Sequence, residues 1–189
     1  MGIVNLATTS DGDHAVGGKM IGLRCRHRRL RKRLQKKGTK SATRLLKKRS
    51  QKESRFAADL NHQISKKLVT EAQRTDRGIA LEDLKGIRDR VRLRKPQRVN
   101  LHSWAFAQLG GFIEYKARRA GVPLLYVDPA YTSQTCNACG NVDKKSRIDQ
   151  ATYHCRACGV VAHADVNAAR NIALRGESGW AVVNQPYAA

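Results

Sequence analysis

Residues 136–140 read CNACG and residues 155–159 read CRACG, so two Cys-x-x-Cys pairs stand fifteen residues apart. The four cysteines are Cys136, Cys139, Cys155 and Cys158. Thiolates at this spacing are typical of tetrahedral zinc, and the glycine after each pair permits the tight turn that directs backbone amides at sulfur. Because a closed four-cysteine site leaves no open position for water, the pattern predicts a zinc ribbon whose metal is structural.

The alternative use of these cysteines is a pair of disulfides. We expect no signal peptide at the start of this sequence, which contains no long apolar span and, at 189 residues, is too large to need covalent stapling. These features favour zinc and reduced thiols. The fifth cysteine, Cys25, lies away from the ribbon, and we expect it to be an ordinary reduced thiol.

The composition is strongly basic. The chain has 37 Lys and Arg residues against 15 Asp and Glu, for a formal net charge of +22, which attracts polyanions and favours nucleic acid as the partner. Membrane binding is the competing interpretation, but aromatic residues make up only 5% of the chain and no basic stretch has a broad aromatic face. We expect a non-membrane protein of the prokaryotic cytoplasm, associated with the nucleoid. Its oligomeric state is not indicated.

The positive charge is concentrated in residues 19–55, which contain seventeen Lys or Arg residues and one acid, Glu53. Leucines recur at helical spacing on both sides of an interruption at Gly38-Thr39, which predicts a basic hairpin of two helices over residues 19–76. A solvated helix face is the alternative, but the segment lacks the acids that would form supporting i,i+4 ion pairs. The candidate nucleic-acid contacts are Arg28, Arg29, Arg31, Arg33, Lys36, Lys37, Lys47, Lys48 and Arg49.

Hydrophobic patterns and turn residues predict a mixed α/β chain around this hairpin. The predicted strands cover residues 2–9, 14–18, 78–84 and 122–128, and the further helices cover 101–120, which Gly121 ends, and 164–174. A turn at 10–13 joins the first two strands, and a basic loop spans 85–98.

Two acids stand at the ends of these elements: Glu82 ends a strand and Asp165 begins a helix. Cleavage of a phosphodiester by two metal ions needs carboxylates that converge from separate elements, and oxygen ligands suit Mg²⁺. Each acid also has an ordinary explanation, because Asp165 suits the first turn of a helix and Glu82 can pair with an arginine. The residues alone leave both interpretations open.

Four stretches together resemble the carboxyl-terminal half of the TnpB (OrfB) family of transposon-encoded proteins, which are akin to the type V CRISPR effectors. They are GIVNLA at 2–7, IALEDL at 79–84, VDPAYTSQTC at 127–136 and HADVNAARNI at 163–172. The resemblance implies an α/β nuclease of RuvC-like, RNase H fold, interrupted by a zinc ribbon, that cuts DNA chosen by a guide RNA. It makes Glu82 the second and Asp165 the third catalytic acid, with Mg²⁺ as their metal.

The resemblance also implies an organisation. The expected RuvC-like core covers 1–130, the ribbon 131–162, the closing helix 163–176 and a tail 177–189. From the residues themselves, His163 is expected to have a structural role or to support the metal ligands, and direct contact with phosphate or a metal is the alternative. Arg170 and Asn171 are expected to support the acidic site, and Lys144, Lys145 and Arg147 to contact nucleic acid or solvent. Proteins of this family are also labelled transposases and linked to transposition and DNA recombination. We expect this label to reflect only their occurrence in transposons, since strand transfer is catalysed by other enzymes of these elements.

The chain departs from the family at its start. The family's first catalytic aspartate precedes the glycine that aligns with Gly2 by two residues, so it would lie upstream of Met1, together with much of the first strand and the amino-terminal domains. We therefore expect this polypeptide alone to be inactive as a nuclease. The alternatives are a start assigned inside a longer gene, a catalytically inactive nucleic-acid-binding relative that acts as a repressor, and a remnant without activity.

Overall fold

The computed structural model describes residues 2, 4–85 and 106–183. In chain order the elements are β1 (Asn5–Thr8), β2 (His14–Val16), α1 (Gly18–Lys37), α2 (Lys40–Arg74), β3 (Ile79–Glu82), α3 (Phe106–Ala120), β4 (Leu124–Val127), a 3-10 turn (Lys144–Ser146), β5 (Thr152–His154), β6 (Val161–His163) and α4 (Ala164–Val183). The expected mixed α/β class is confirmed. Most of the predicted basic loop at 85–98 and the predicted helix start near residue 101 lie outside the described residues.

The described strands form three separate pairs. β1 and β2 are antiparallel, and Gly12 in the turn between them has a φ of 97°, a conformation that favours glycine. β3 and β4 are parallel, with Ile79 opposite Leu124 and Glu82 opposite Val127. Parallel strands need a crossover connection, and α3 lies within it. β5 and β6 are antiparallel and flank the second cysteine pair.

Helices α1 and α2 form the hairpin predicted from the sequence. Gly38 follows α1 in a left-handed conformation with φ 63°, and the Thr39 side chain accepts a hydrogen bond from the Ala42 amide at 3.2 Å. These two residues end one helix and cap the next. At 1.5 Å per residue, the 35 residues of α2 extend about 50 Å, so its second half reaches the apolar core while its first half pairs with α1.

The apolar core lies between α2 and α3. On α3, Leu109, Ile113 and Ala117 are fully buried and recur every four residues along one side of the helix. They cluster with Ile64 and Val69 of α2 and with residues of β1, α1 and β3. Burial at about 25 cal/mol per Å² of apolar surface makes this seam a major source of stability. Within the described residues, no helix combines the length and apolar character needed to span a membrane.

Helix α4 continues to Val183, which corrects the prediction that it ends near residue 174–176 and that a tail begins at 177. Gly176 and Gly179 suggest an end in the sequence, because glycine weakens helix interiors. In the structure they allow α4 to approach the strands closely. A Cβ at Gly176 would lie 2.6 Å from the Ala80 Cβ, and one at Gly179 would lie 2.8 Å from Leu125 Cδ2. Packing against β3 and β4 thus outweighs low helix propensity.

The direction of α4 places its first turn near the acid of β3. Trp180 lies beside Gly78, where an added Cβ would meet the indole ring at 2.7 Å, and Gly176 lies beside Ala80. The helix therefore runs antiparallel to β3. Its amino-terminal turn, which contains Asp165, extends beyond the carboxyl end of β3, the end at which Glu82 stands.

Candidate functional site

The four cysteines form one cluster. Their sulfur atoms all lie within 4.8 Å of one another, and the Cys136–Cys158 and Cys139–Cys155 sulfur pairs are each 3.7 Å apart. Disulfide sulfurs lie about 2.05 Å apart, whereas four sulfurs bound tetrahedrally to zinc at about 2.3 Å lie about 3.8 Å from one another. The spacing fits one tetrahedral metal ion such as zinc, and these cysteines are not joined by disulfides.

Each cysteine pair is built on the same backbone turn. The Gly140 amide donates to the Cys136 carbonyl and the Gly159 amide donates to the Cys155 carbonyl, both at 2.9 Å. Both glycines have positive φ angles, 74° and 75°, which explains why glycine follows each pair. The Cys158 amide also points at the Cys155 sulfur at 3.5 Å. The ribbon predicted from the spacing is therefore present in the backbone as well as in the sulfur positions.

The thiols of the second pair differ in acidity. The backbone amides of Cys158 and Ala157 lower the pKa of Cys155 to about 6. The Val160 amide works to lower the pKa of Cys158, but hydrogen bonding with the Cys139 and Cys155 thiols, together with burial, raises it to about 12. Ionisation of one sulfur disfavours ionisation of its neighbour, and a divalent cation removes this conflict because it binds all four as thiolates.

Two buried asparagines of α4 hold the ribbon in place. The Asn167 side chain accepts from the Asn137 amide at 3.0 Å and donates to the Thr135 carbonyl at 2.7 Å. One turn later, Asn171 donates to the Thr132 and Thr135 carbonyls at 2.9 and 2.7 Å. This corrects the expectation that Asn171 supports the acidic site. Its side chain fixes the chain that enters the ribbon.

Asp165 is a half-buried carboxylate with partners from two parts of the chain, β1 and the ribbon loop. Asn5 of β1 donates to Oδ2 at 2.9 Å, and Arg147 of the ribbon forms an ion pair with Oδ1 at 2.9 Å. Gln150 lies at 3.4 Å from both oxygens. Arg170, which we expected to support this site, instead donates to the Ser10 carbonyl at 3.3 Å.

These partners keep Asp165 ionised. Burial works to raise the pKa of the carboxyl group, but hydrogen bonds from Asn5 and Arg147 and the charge of Arg147 outweigh it and hold the pKa below its usual value. The Asp165 amide also donates to His163 Nδ1 at 3.2 Å, and the His163 ring lies 4.6 Å from that of His14. His163 thus positions the start of α4, which is the kind of structural role expected for it.

The two predicted catalytic acids occupy neighbouring elements at one end of the β3–β4 pair. Glu82 lies opposite Val127 at the carboxyl end of the parallel pair, and α4 brings Asp165 beyond the same end. In the described ranges, the four cysteines are the one group of three or more acids, histidines or cysteines close enough to hold a single ion. Asp83 and Asp128 directly follow β3 and β4 at the same end. Among the described residues, however, no three of these acids lie within ligand reach of one another.

The hairpin presents a cationic surface. All nine candidate nucleic-acid contacts named from the sequence are exposed on α1 and α2. The lone acid of the segment, Glu53, is turned inward: it lies 3.2 Å from Arg24 Nε and 3.1 Å from the buried His27 Nδ1. Because this acid joins the two helices, it does not offset the exposed charge. The sequence did not reveal this contact, since nothing in the charge count shows where Glu53 points.

Comparison with known proteins gives consistent matches. A family profile described as Cas12f1-like, TNB domain, matches residues 106–172. A CRISPR-associated endodeoxyribonuclease Cas12f1 of Sulfoacidibacillus thermotolerans is 45% identical over 120 residues, which cover 63% of this chain and 27% of the relative. A TnpB-like protein of Methanocaldococcus jannaschii is 38% identical over 145 residues, which cover 76% of this chain and 51% of the relative.

The chain is similar in sequence to members of the TnpB family. This family is related to the type V CRISPR effectors, as the resemblance in sequence predicts. The chain spans about half or less of the length of these two relatives. The cryo-EM structure of a Cas12f1–sgRNA–target DNA complex matches with a TM-score of 0.65 over 85% of this chain and 43% of that protein, at 22% identity, which shows a shared fold.

Sequence reasoning missed the polar partners of Asp165. Asn5 is 160 residues away in sequence, and Arg147 lies in the ribbon loop. No local sequence pattern predicts these contacts, because they form only when β1, the ribbon and α4 pack together. The paired asparagines did carry a signal, because Asn167 and Asn171 are four residues apart and so share one face of a helix.

Proposed function

We propose that this chain is the nuclease part of an RNA-guided DNA endonuclease. The observation that carries the proposal is Asp165, a half-buried carboxylate held ionised by Asn5 and Arg147 beyond the strand end that bears Glu82. An acid in the first turn of a helix that interacts only with the helix dipole does not need such side-chain partners. Held and half-buried ionisable groups are more typical of functional sites. Sequence similarity to Cas12f1 and TnpB-like proteins supports the assignment.

Glu82 and Asp165 are the residues that would hold Mg²⁺. Carboxylate oxygens are the ligands that this ion takes, so the donor set fits. Bound Mg²⁺ would activate a water molecule and stabilise the leaving oxygen of a phosphodiester. Asn5 orients the Asp165 carboxylate through Oδ2, while Arg147 occupies Oδ1 and must share it or release it when the metal binds.

The cysteine cluster, in this proposal, binds one zinc ion with a structural role. Four thiolates complete a tetrahedral shell, so no position remains for water or substrate. The zinc instead stabilises the ribbon whose loop carries Arg147 to Asp165. Zinc would therefore act on the acidic site indirectly, through the position of that arginine.

The exposed cations of α1 and α2 would bind the phosphate backbone of the guide RNA or of DNA. Residues 19–55 contain seventeen basic residues and one acid, Glu53, which is already paired with Arg24 and His27 of the other helix. Contacts of this kind are independent of sequence, and they weaken as salt rises because condensed counterions are released on binding. A role in transposition and a location at the nucleoid stay predictions.

The test is cleavage of a plasmid that matches the RNA copurified with the protein. Because no three acids among the described residues lie close enough together to hold one ion, we expect little cleavage by the 189-residue chain. A form extended upstream to carry the family's first aspartate should cut the plasmid when Mg²⁺ and the RNA are present. Glu82→Gln or Asp165→Asn in that form should lower the rate by at least about 100-fold.

Two results would contradict the acid assignment: cleavage by the extended form that survives either substitution, or RNA- and Mg²⁺-dependent cleavage by the short chain. Binding of RNA and DNA should be measured in parallel, since Glu82→Gln and Asp165→Asn remove charge without removing the cationic hairpin.

A second candidate function is nucleic-acid binding without cleavage. The observation in its favour is the Arg147–Asp165 ion pair, which places a cation 2.9 Å from the carboxylate oxygen where a metal would bind. An extended form that binds RNA and DNA but does not cut would support this function instead.

A further inference from the structure

Tyr131 combines exposure with an uncommon backbone conformation. It lies between β4 and the first cysteine pair, and 66% of its surface is exposed. Its φ angle is 61°, in the left-handed region that bulky side chains rarely adopt. Backbone strain of this kind persists only where surrounding contacts impose it, and it is concentrated at functional sites.

The contacts that impose this conformation involve the backbone of Tyr131, not its ring. Its carbonyl accepts from the Gln134 amide at 2.8 Å, from the Thr135 amide at 3.0 Å and from the Thr135 hydroxyl at 2.9 Å. The next residue, Thr132, is buried and is held to α4 by Asn171. The loop is thus fixed on both sides, and the phenol ring extends from it into solvent.

The loop lies at the edge of the molecule that carries the two acids. Val127, four residues before Tyr131, is the strand partner of Glu82. Asn171, which holds the residue after Tyr131, is less than two helical turns from Asp165. Arg175 donates to the Asp128 carbonyl at 2.6 Å, which ties the start of the loop to α4.

We propose that Tyr131 stacks on an unpaired nucleobase of a DNA strand that crosses this acidic edge, a role that rests on the proposed function. Every base presents a π-face, so one rigid aromatic ring can hold a strand without regard to sequence. A tyrosine fixed by its backbone loses little conformational freedom on binding. An apolar protein partner fits less well, because a lone ring on a chain of net charge +22 is not a broad apolar patch.

The test compares the affinity of the zinc-loaded 189-residue chain for two fluorescent strands of equal length and charge. One is oligothymidylate DNA, and the other has abasic sites in place of the bases. Stacking predicts that the base-containing strand binds at least about 5-fold more tightly. Tyr131→Gly should bring this ratio close to one, whereas Tyr131→Phe should keep it. The dependence of affinity on salt should be the same in all three proteins.

Glycine is an informative replacement because it adopts positive φ without strain, so Tyr131→Gly should melt at or above the temperature of the wild type. Tyr115→Ala, which removes another partly exposed tyrosine, is the matched control and should keep the ratio. If Tyr131→Gly keeps the preference for the base-containing strand over the abasic strand, the stacking role is overturned. It is also overturned if Tyr131→Gly weakens binding to oligouridylate RNA but not to the DNA strand. If the wild-type chain binds none of the strands, the proposed function itself is refuted. The failure of the stacking role and the failure of the proposed function are therefore distinguishable.

Discussion

The cysteine ribbon and the α2–α3 core are held together by different means. The ribbon buries a small group around Cys136, Tyr153 and Cys155. Its other contacts are hydrogen bonds, within its turns and the β5–β6 pair and to α4. The core buries apolar residues of α1, α2 and α3 and of strands β1 and β3. Because little apolar surface is buried in the ribbon, its stability should depend on its metal, while that of the core should not. Substitutions in each region test this contrast.

The largest effect is expected from Cys155→Ala. Loss of one thiolate should reduce bound zinc from about one ion per chain to about none, because a four-cysteine site depends on all of its ligands. The ribbon should unfold locally while the α2–α3 core stays folded. Elemental analysis measures the zinc, and hydrogen exchange shows which segments lose protection.

The control for this substitution is Cys25→Ala, which removes the half-buried cysteine of α1 and should leave zinc content unchanged. Zinc stoichiometry near zero in the parent protein, or unchanged in Cys155→Ala, would contradict the metal assignment.

The reciprocal change is Leu109→Ala in the core. Leu109 is fully buried, so the cavity should lower the free energy of unfolding by about 2–5 kcal/mol without loss of zinc. Leu174→Ala is the matched control, because Leu174 is 49% exposed and should cost less than about 0.5 kcal/mol. Denaturant unfolding measures both. A loss of zinc in Leu109→Ala would show that ribbon and core do not fold independently.

The exposed charge of the α1–α2 hairpin should affect nucleic-acid binding without affecting the stability of the ribbon or of the α2–α3 core. Replacement of Arg28, Arg29, Arg31 and Arg33 by glutamine should make the log–log salt slope of duplex binding shallower by up to about 3.6, at about 0.9 for each phosphate that is no longer neutralised. Zinc content and unfolding free energy should not change. If the slope stays the same, these residues are not part of the binding surface.

A smaller effect tests how α4 meets the strands. Gly176→Val should lower the free energy of unfolding by about 1–3 kcal/mol, because the added side chain would overlap the Ala80 Cβ. Gly22→Ala is the control: α1 leaves open space at that position, so the change should stabilise the helix by up to about 1 kcal/mol. Thermal unfolding of the two variants gives the comparison, and equal effects would contradict the close packing.

Local signals in the sequence account for much of this fold. The cysteine spacing predicts the ribbon, and Gly38 with Thr39 marks the hairpin, because each depends on residues close together in the chain. The full length of α4 could not be predicted, since Gly176 and Gly179 act as helix residues only through contact with strands far away in sequence. The same reason hides the partners of Asp165: Asn5 and Arg147 meet it only after folding.

Binding of a divalent metal by Glu82 and Asp165 can be tested most directly with Mn²⁺, a paramagnetic substitute for Mg²⁺. Its affinity for the zinc-loaded chain should be measured by water-proton relaxation for the wild type, Glu82→Gln, Asp165→Asn and Arg147→Gln. We expect at least about a tenfold loss of Mn²⁺ affinity in both acid variants, since each loses a charged oxygen ligand. We expect no loss in Arg147→Gln, because that change removes the cation that competes for Asp165 Oδ1. Equal Mn²⁺ affinity in the wild type and both acid variants would contradict the metal-binding role of the two acids.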